Sequence, residues 1–507
     1  MKLSELAPAN RFPTGIAVIA MLVFLLVYAV ELGGFTLSID EEIASIQSAD
    51  AKAWLAQGRW GMALVTLLLP NFEAIPVLST LLFGAGLVIA TTSAVTHFRL
   101  EGGRAVAFAV MHVASPLWLH IAHFNTLAAG FGLGIAAAAV GAGLVVHGER
   151  TEQRSLAIVL LAFAMSVYQT LALYAVVYAV FALHARTVDA RPGEWRAVAM
   201  RTLLAAALFV VAAAVYVVVQ RGASSALGVA PAYVDVYWQG GQLMANPSAV
   251  LPVGLRAFGE YLSGRHAMYL GWGAVLLAPA MLGMLPTWWS RTAPGTRVAH
   301  LGVFYATVAC ALALVALPFL LSAGTLPTRA HVAWPLLVAW LASRTPWPAR
   351  QGAHVTGAVV LGYVVVVATS ISASLFHTER LVRDADAALA RALIPAIRAA
   401  AEPNPAQPIP FTVSGQWSFP TQGQLVRVGD FGASFFDHDQ GNVYRMWLFM
   451  QTLGASGLQP LPLGTRQDLV PEAANMPAWP AEGSVKRVNG VVIVKLGPAT
   501  PPQLAAP

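Results

Sequence analysis

Apolar runs long enough to cross a bilayer, about 20 residues each, recur at residues 13–35, 74–97, 202–220, 266–286, 300–322 and 355–376. Three other apolar stretches have the wrong length for one simple span. Residues 105–146 are interrupted by PLWLHIAHFN and suit two short helices with a polar tip. Residues 156–184 would suit a single tilted helix, yet arginine flanks both ends: Arg150 and Arg154 before, Arg186, Arg191, Arg196 and Arg201 after. One crossing would then place basic residues on both sides of the membrane, against their strong bias to the cytoplasmic side. Two half-length helices meeting at SVYQT return both ends to one side. AHVAWPLLVAWLAS, residues 330–343, is short as well. Short helices are tolerated only beside other protein or a water-filled cavity, so the three stretches together predict a cavity cut into one leaflet.

After Phe376 the pattern changes. Leu381, Leu389, Leu393 and Ile397 share one helical face opposite arginines, which predicts an amphipathic juxtamembrane helix over 377–402 lying at the membrane surface. PNPAQPIP, residues 403–410, reads as a linker. Residues 411–496 read as a small α/β domain, with strands at FTVSGQW and LVRV and a helix at NVYRMWLFMQTLG. Its hairpin, VKRVNGVVIVKL, turns on Asn489-Gly490, a pair suited to a type I′ turn. The segment 497–507 reads as a disordered tail. The expected fold is an all-α polytopic membrane protein over 1–376, with about eleven transmembrane or partly spanning helices and a first outer loop at 36–73, followed by this domain.

Composition agrees with that class. Of 507 residues 57% are hydrophobic and only 11% charged, with a mean hydropathy of +0.65, whereas a soluble domain carries about 25% charged residues. The net charge of +6 comes from basic residues set singly between apolar runs, a pattern that reports topology rather than nucleic-acid binding. With arginine concentrated in the segments assigned to the cytoplasm, the N-terminus is expected inside and the C-terminus outside. The first apolar run is longer than a signal-peptide core and no A-x-A-like site follows, so it reads as an uncleaved span. The single cysteine, Cys310, allows neither an intrachain disulfide nor a thiolate cluster.

Polar groups gather at the outer ends of the apolar segments: Glu31, the triplet Asp40, Glu41 and Glu42, Arg59, Asn71 with Glu73, His120 with His123 and Asn125, Tyr168 with Gln169, Arg265 with His266, and Arg329 with His331. Ionisable groups in such places mark a functional cavity on that face. Each also has a structural reading. Ser38-Ile-Asp-Glu41 is a capping box that places Glu41 at the third helical position. Arg59 and Arg329 suit snorkelling to the interface, and His120 and His123 suit interfacial hydrogen bonds. Tyr168 and Gln169 can satisfy backbone groups at a hairpin tip. Asp437, His438 and Asp439 in FFDHDQGN suit a polar turn before a helix, with metal ligation as the alternative.

An uncleaved span, an outer loop with SIDEE, an amphipathic stretch ending in QGRWG, a half-buried hairpin with YQT and an outer C-terminal domain follow one another in this chain. That order resembles the polytopic glucosyltransferases first known from serotype-converting phages (GtrII-like), within the C-type glycosyltransferase (GT-C) superfamily. The resemblance implies transfer of a single sugar, typically glucose, from a polyprenyl-phosphate carrier to a glycan acceptor such as O-antigen, at the periplasmic face of the bacterial inner membrane. Implied partners are the lipid bilayer, the polyprenyl-phosphate-linked donor, the glycan acceptor, a small flippase and a cytoplasmic polyprenyl-phosphate glycosyltransferase. The superfamily's modified DXD motif maps onto Asp40, Glu41 and Glu42. On this reading Asp40 is the base, and Glu41 positions it or the acceptor. Arg59 and Arg329 clamp the donor phosphate, which a guanidinium matches bidentately, while Glu42, His123, Tyr168 and Gln169 line the sugar and acceptor pocket. No second acidic motif accompanies the first, so no metal cofactor is assigned. Two rival readings are an O-antigen ligase or polymerase, which would need more arginine for a diphosphate-linked donor, and a lipid-linked sugar flippase. Against the flippase, the sequence shows no repeated halves with matched broken helices.

Overall fold

The computed structural model describes residues 13–46, 50–69, 75, 77–187, 194–230, 240–263, 294–345, 351–401, 407–419 and 428–505. The expected span 266–286, the polar residues Asn71, Glu73, Arg265 and His266, and LVRV as far as Arg427 lie outside them. Among the described residues the chain is mostly helical with one small sheet. Among the described residues, six helices are long and apolar enough to cross a membrane: Leu78–His97, Gly102–Ala122, Asn125–His147, Trp195–Leu227, Leu301–Leu321 and Val355–Ala400. This is a membrane protein; the six described helices of full spanning length stand against an expectation of about eleven full or partial spans. The difference lies in helix length. Thr151–Val167 and Leu171–Thr187 have 17 residues each, Thr14–Val27 has 14 and Ala333–Arg344 has 12. At 1.5 Å per residue even 17 residues reach only about 26 Å, short of a ~30 Å hydrocarbon core.

Contacts divide the chain into two compact units, one of residues 1–32, 49–123 and 127–372, the other of residues 33–48, 124–126 and 373–507. In the first unit the arginine-flanked stretch is a helical hairpin. Its first helix stops at Tyr168, whose backbone is extended, and its second starts at Leu171. Residues 105–146 do not make two half-length helices. A 12-residue helix, Gly102–Val113, is halted before Pro116, a short turn and the four-residue helix Leu119–Ala122 follow, and the 23-residue Asn125–His147 runs on at full length. Pro116 can start a turn but cannot continue a helix. The short helix Ala333–Arg344 is buried along nearly its whole length, with Trp340 stacked on Phe181 at 4.4 Å and on Phe304 at 5.7 Å. Protein rather than lipid surrounds it, which is the condition under which a helix this short persists at membrane depth.

The second unit is built on a four-stranded sheet in the order β2 (Leu458–Pro460), β1 (Ile409–Ser414), β4 (Val491–Lys495), β3 (Val485–Val488). β1 runs parallel to both neighbours, and β3 and β4 form the antiparallel hairpin that turns at Asn489 and Gly490, both at positive φ (47° and 81°), as a type I′ turn requires. Of the LVRV strand only Val428 is described, in an isolated bridge to Phe431. The expected 377–402 helix is the continuation of one 50-residue helix, Gln351–Ala400. Its apolar face does not lie on a membrane surface. Leu389, Leu393 and Ile397 pack with Phe411, Phe435, Met446, Phe449 and Val492 in the core of the α/β unit. Apolar periodicity specifies that a face is buried, not what buries it.

The tail is folded through Ala505, contrary to expectation. Gln503, in the turn Pro501–Leu504, donates to the carbonyls of Gly415 (2.8 Å) and Gly441 (2.7 Å) and accepts from the Gly415 N–H (2.8 Å). It also accepts from the Thr500 N–H (3.1 Å), so one amide side chain satisfies four backbone groups and anchors a segment whose composition alone suggests disorder. Leu393 is 1% exposed, so Leu393→Ala is expected to destabilise the C-terminal unit by about 2–5 kcal/mol. Chemical denaturation of the detergent-solubilised protein, followed through tryptophan fluorescence, checks this. Unchanged stability with weakened vesicle binding would restore the membrane-surface reading.

Candidate active site

The three consecutive acids belong to the second unit, and each has a different environment. The helix Glu41–Ile46 begins at Glu41 because Asp40 has a left-handed backbone, φ 78°, which aspartate tolerates better than most residues. The capping box is therefore only half present. The Glu41 carboxylate accepts from the Ser38 N–H at 2.9 Å, but Glu41 opens the helix instead of standing at its third position. Its other oxygen accepts from the Asn125 N–H at 2.7 Å, where a negative charge also favours the N-terminus of Asn125–His147. With both oxygens on backbone amides and 1% exposure, Glu41 builds the loop and is not placed to touch a substrate. Glu42 is fully buried, so it does not line an acceptor pocket. Asp40, 43% exposed at its side chain, is the acid a ligand can reach.

Asp40 and Glu42 converge on Arg445. Its Nη2 donates to Asp40 at 2.8 Å, its Nη1 to Glu42 at 2.6 Å and its Nε to Asp439 at 2.6 Å. Burial pushes the Glu42 carboxyl up to about 7, against the downward pull of Arg445. Burial alone would lower the arginine, but Asp40 and Glu42 outweigh it and hold the guanidinium charged. The local backbone builds this fork. Asn442 caps Val443–Thr452 by accepting from the Tyr444 N–H (2.9 Å), and Asp439 is left-handed, φ 50°. Asp437 accepts from the Ser434 N–H (3.2 Å) and from Ser418 (2.5 Å), so FFDHDQGN is a polar turn. Beneath it, Arg383 pairs with Glu379 (2.5 Å) and Asp386 (2.9 Å). Those acids in turn accept from the Gly432 N–H (2.6 Å) and the Phe435 N–H (2.9 Å), pinning the loop that carries Asp437 and Asp439. Arg445 escaped the sequence reading because its partners stand 405 and 403 positions away. The only local signal is an arginine one turn into a helix that follows an acidic turn.

In the first unit Arg59, Tyr168 and Gln169 meet at the wall of a cavity of about 450 Å³, otherwise mainly apolar, with Leu173, Leu317, Pro318, Leu321 and Leu326 among its lining. The Arg59 guanidinium lies over the Tyr168 ring, 4.8 Å from its centroid, a cation–π geometry. QGRWG makes this possible. The last carbonyls of Ala51–Ala56 and its turn are capped by side chains: Gln220 on Leu55 (2.9 Å), Gln169 on Gln57 (2.7 Å) and Tyr216 on Gly58 (2.9 Å). Gly58 has φ +75°, and a Cβ there would meet Gln169 Nε2 at 2.8 Å. A Cβ on Gly61 would collide with Ser166. Arg329 is half-buried in the turn Thr328–Ala330; its neighbours Pro327 and Ala330 line the cavity, but Arg329 itself does not. His123, 3% exposed at the end of Leu119–Ala122, is likewise not among the lining residues.

Two outcomes follow from this geometry. Gly58→Ala forces a left-handed alanine and is expected to cost about 1–2 kcal/mol, whereas Gly222→Ala, in open space, should be neutral or mildly stabilising; thermal unfolding of the two purified variants checks the contrast. The raised Glu42 carboxyl means that the folded state holds a proton the unfolded state releases. Its contribution to stability therefore falls as pH rises from about 4.5 to about 7. Glu42→Gln should flatten the melting temperature over that window, measured at pH 5, 6 and 7.5.

A family model described as glucosyl transferase GtrII matches residues 32–343, well over half of the chain. No curated protein and no solved structure matches it. The matched stretch contains the Asp40–Glu42 triplet, the QGRWG turn with its arginine, and the Tyr168–Gln169 break at the cavity wall, and it stops far short of Arg445. A membrane protein matched in this way over its acidic loop and its arginine-bearing cavity belongs to the GtrII glucosyl transferase family.

Proposed function

We propose that the chain transfers a single glucosyl residue from a polyprenyl-phosphate carrier to a hydroxyl of a surface polysaccharide such as O-antigen, on the periplasmic face of the bacterial inner membrane. The observation that carries this reading is the cavity of the first unit. Its walls are apolar apart from one guanidinium on an aromatic face and a few neutral polar groups. That combination suits an amphiphile with an apolar chain and one phosphate. A diphosphate carrier, as in the ligase or polymerase reading, would call for more positive charge.

The transfer needs a base for the acceptor and a cation for the leaving group. Asp40, the exposed acid of the triplet, takes the proton from the acceptor hydroxyl as its oxygen bonds to the anomeric carbon. The bond from that carbon to the carrier phosphate breaks, and the phosphate departs with the electron pair towards the guanidinium of Arg59. Tyr168 holds that guanidinium flat, and Gln169 holds the turn that carries it. Arg329 serves as a second phosphate contact once the donor is bound. In this proposal the architecture is of the GT-C type, with the N-terminus cytoplasmic, the C-terminus periplasmic and about eleven full or partial spans. A cytoplasmic polyprenyl-phosphate glycosyltransferase makes the donor and a small flippase delivers it.

Asp40→Asn is the direct test, because asparagine also tolerates the left-handed backbone and can still accept from Arg445 through its amide oxygen, while it cannot take up the proton. Complementing a deletion strain with this variant should lower the glucose side branch on otherwise full-length polysaccharide by about 10²–10⁴-fold relative to wild type, read by mass spectrometry of the glycan. Full decoration would remove Asp40 from the mechanism, and loss of the whole polymer would favour the ligase or polymerase.

A further inference from the structure

The residues Arg445 brings together lie far apart in sequence, and the arginine itself falls outside the stretch that matches the family. Its three kinds of guanidinium nitrogen serve three different carboxylates. Such a fork is a poor stability device. Glu42 is fully buried, and its Oε2 has no hydrogen-bond partner among the described residues. Buried charge pairs often cost about as much as they return. Asp40 and Asp439, at 43% and 48% side-chain exposure, are the sort of surface partners that contribute little. Both also stand at positive φ. What the fork does supply is orientation. Glu42 and Asp439 take two edges of a planar cation and fix its attitude, leaving Nη2 to fix Asp40. The bond from Nη2 thereby fixes the direction of the Asp40 carboxylate.

We propose that Arg445 is a positioning residue for the transfer, holding the Asp40 carboxylate in the orientation that accepts the proton of the acceptor hydroxyl. The inference rests on Asp40 being the base. Its consequence is that the C-terminal α/β unit takes part in the reaction: Val443–Thr452 presents the arginine, and the loop pinned by Glu379, Arg383 and Asp386 presents Asp439. The charged and titratable groups around the fork are Asp40, Glu42, Asp439 and His438, with Asp430 beside His438.

The test uses the full chain purified in detergent, polyprenyl-phosphate glucose as donor and the host polysaccharide as acceptor. Arg445→Ala should lower kcat by about 10–100-fold, the scale expected when a catalytic group is misplaced by about an ångström, with KM for the donor changed less than about twofold. In the Asp40→Asn background the same substitution should cause little further loss, since it acts through Asp40. A full additional loss in the double variant would show a merely structural role and overturn the proposal, as would an unchanged kcat in Arg445→Ala while Asp40→Asn is inactive. An active Asp40→Asn would instead overturn the base assignment itself. Should Arg445→Ala fail to fold, Asp439→Asn decides: it loosens the guanidinium from an exposed position and is expected to lower kcat by about 3–10-fold at unchanged KM, and an unaltered kcat there would refute the role.

Discussion

One positive charge shared by three carboxylates organises the second unit. To bring Asp40, Glu42 and Asp439 onto the edges of a single guanidinium, the chain must turn sharply at both ends of the contact, and it does so with left-handed aspartates. The loop that carries the first two acids is tied down by Glu41, whose oxygens bind the amides of Ser38 and Asn125, and by Arg380 on the Gly34 carbonyl (2.9 Å). The loop that carries the third is tied to the helix behind it by the Glu379–Arg383–Asp386 triad. Each tie puts a charged side chain on backbone groups that would otherwise be buried without partners. Among the described residues, the unit thus frames two exposed carboxylates, Asp40 and Asp439, with charge-assisted bonds.

The first unit follows a different constraint. Buried backbone groups need partners within the protein, and a helix that stops leaves its last carbonyls without intrahelical partners. Ala51–Ala56 stops early, and Gln220, Gln169 and Tyr216 supply the missing donors. Two of those donors stand on the long helix Trp195–Leu227 and the third at the break of the helical hairpin. The same interruptions that make short helices necessary therefore bring Arg59 onto Tyr168. Capping and cavity are one piece of local structure.

Much of this was legible in the residues. The break at SVYQT followed from arginine on both flanks, and the type I′ turn at Asn489-Gly490 from the only backbone such a pair suits so well. QGRWG was readable as the arginine-bearing end of an amphipathic stretch, although not as a turn in which Gly61 has to admit Ser166. Other features were half legible. Ser38 and Glu41 do pair, but nothing local signals that Asp40 would go left-handed and start the helix later. The face of Leu389, Leu393 and Ile397 is apolar by periodicity, while its covering, the strands and helices of the α/β unit, is a tertiary fact. The tail looked disordered because three of the backbone groups that Gln503 binds lie at residues 415 and 441, out of reach of any local pattern; only its capping contact with the Thr500 N–H is local. Arg445 is the extreme case: its Asp439 contact is local, but nothing in either segment signals the contacts with Asp40 and Glu42 across 405 and 403 positions.

The three acids show how one motif divides its labour once packing is known. In sequence Asp40 reads as the base, Glu41 as a positioning group with a capping duty of its own, and Glu42 as a sugar or acceptor contact. In the structure, burial separates them. Glu41 is buried with each oxygen on a backbone amide, so it builds the loop. Glu42, pushed up by desolvation and bound to Arg445 by one oxygen, sets the cation in place. Asp40 alone combines solvent access with a fixed orientation, and a general base needs both: reach to the hydroxyl it deprotonates, and a geometry already assembled when the substrate arrives. The motif works as a hierarchy, in which two buried acids hold the position of the third.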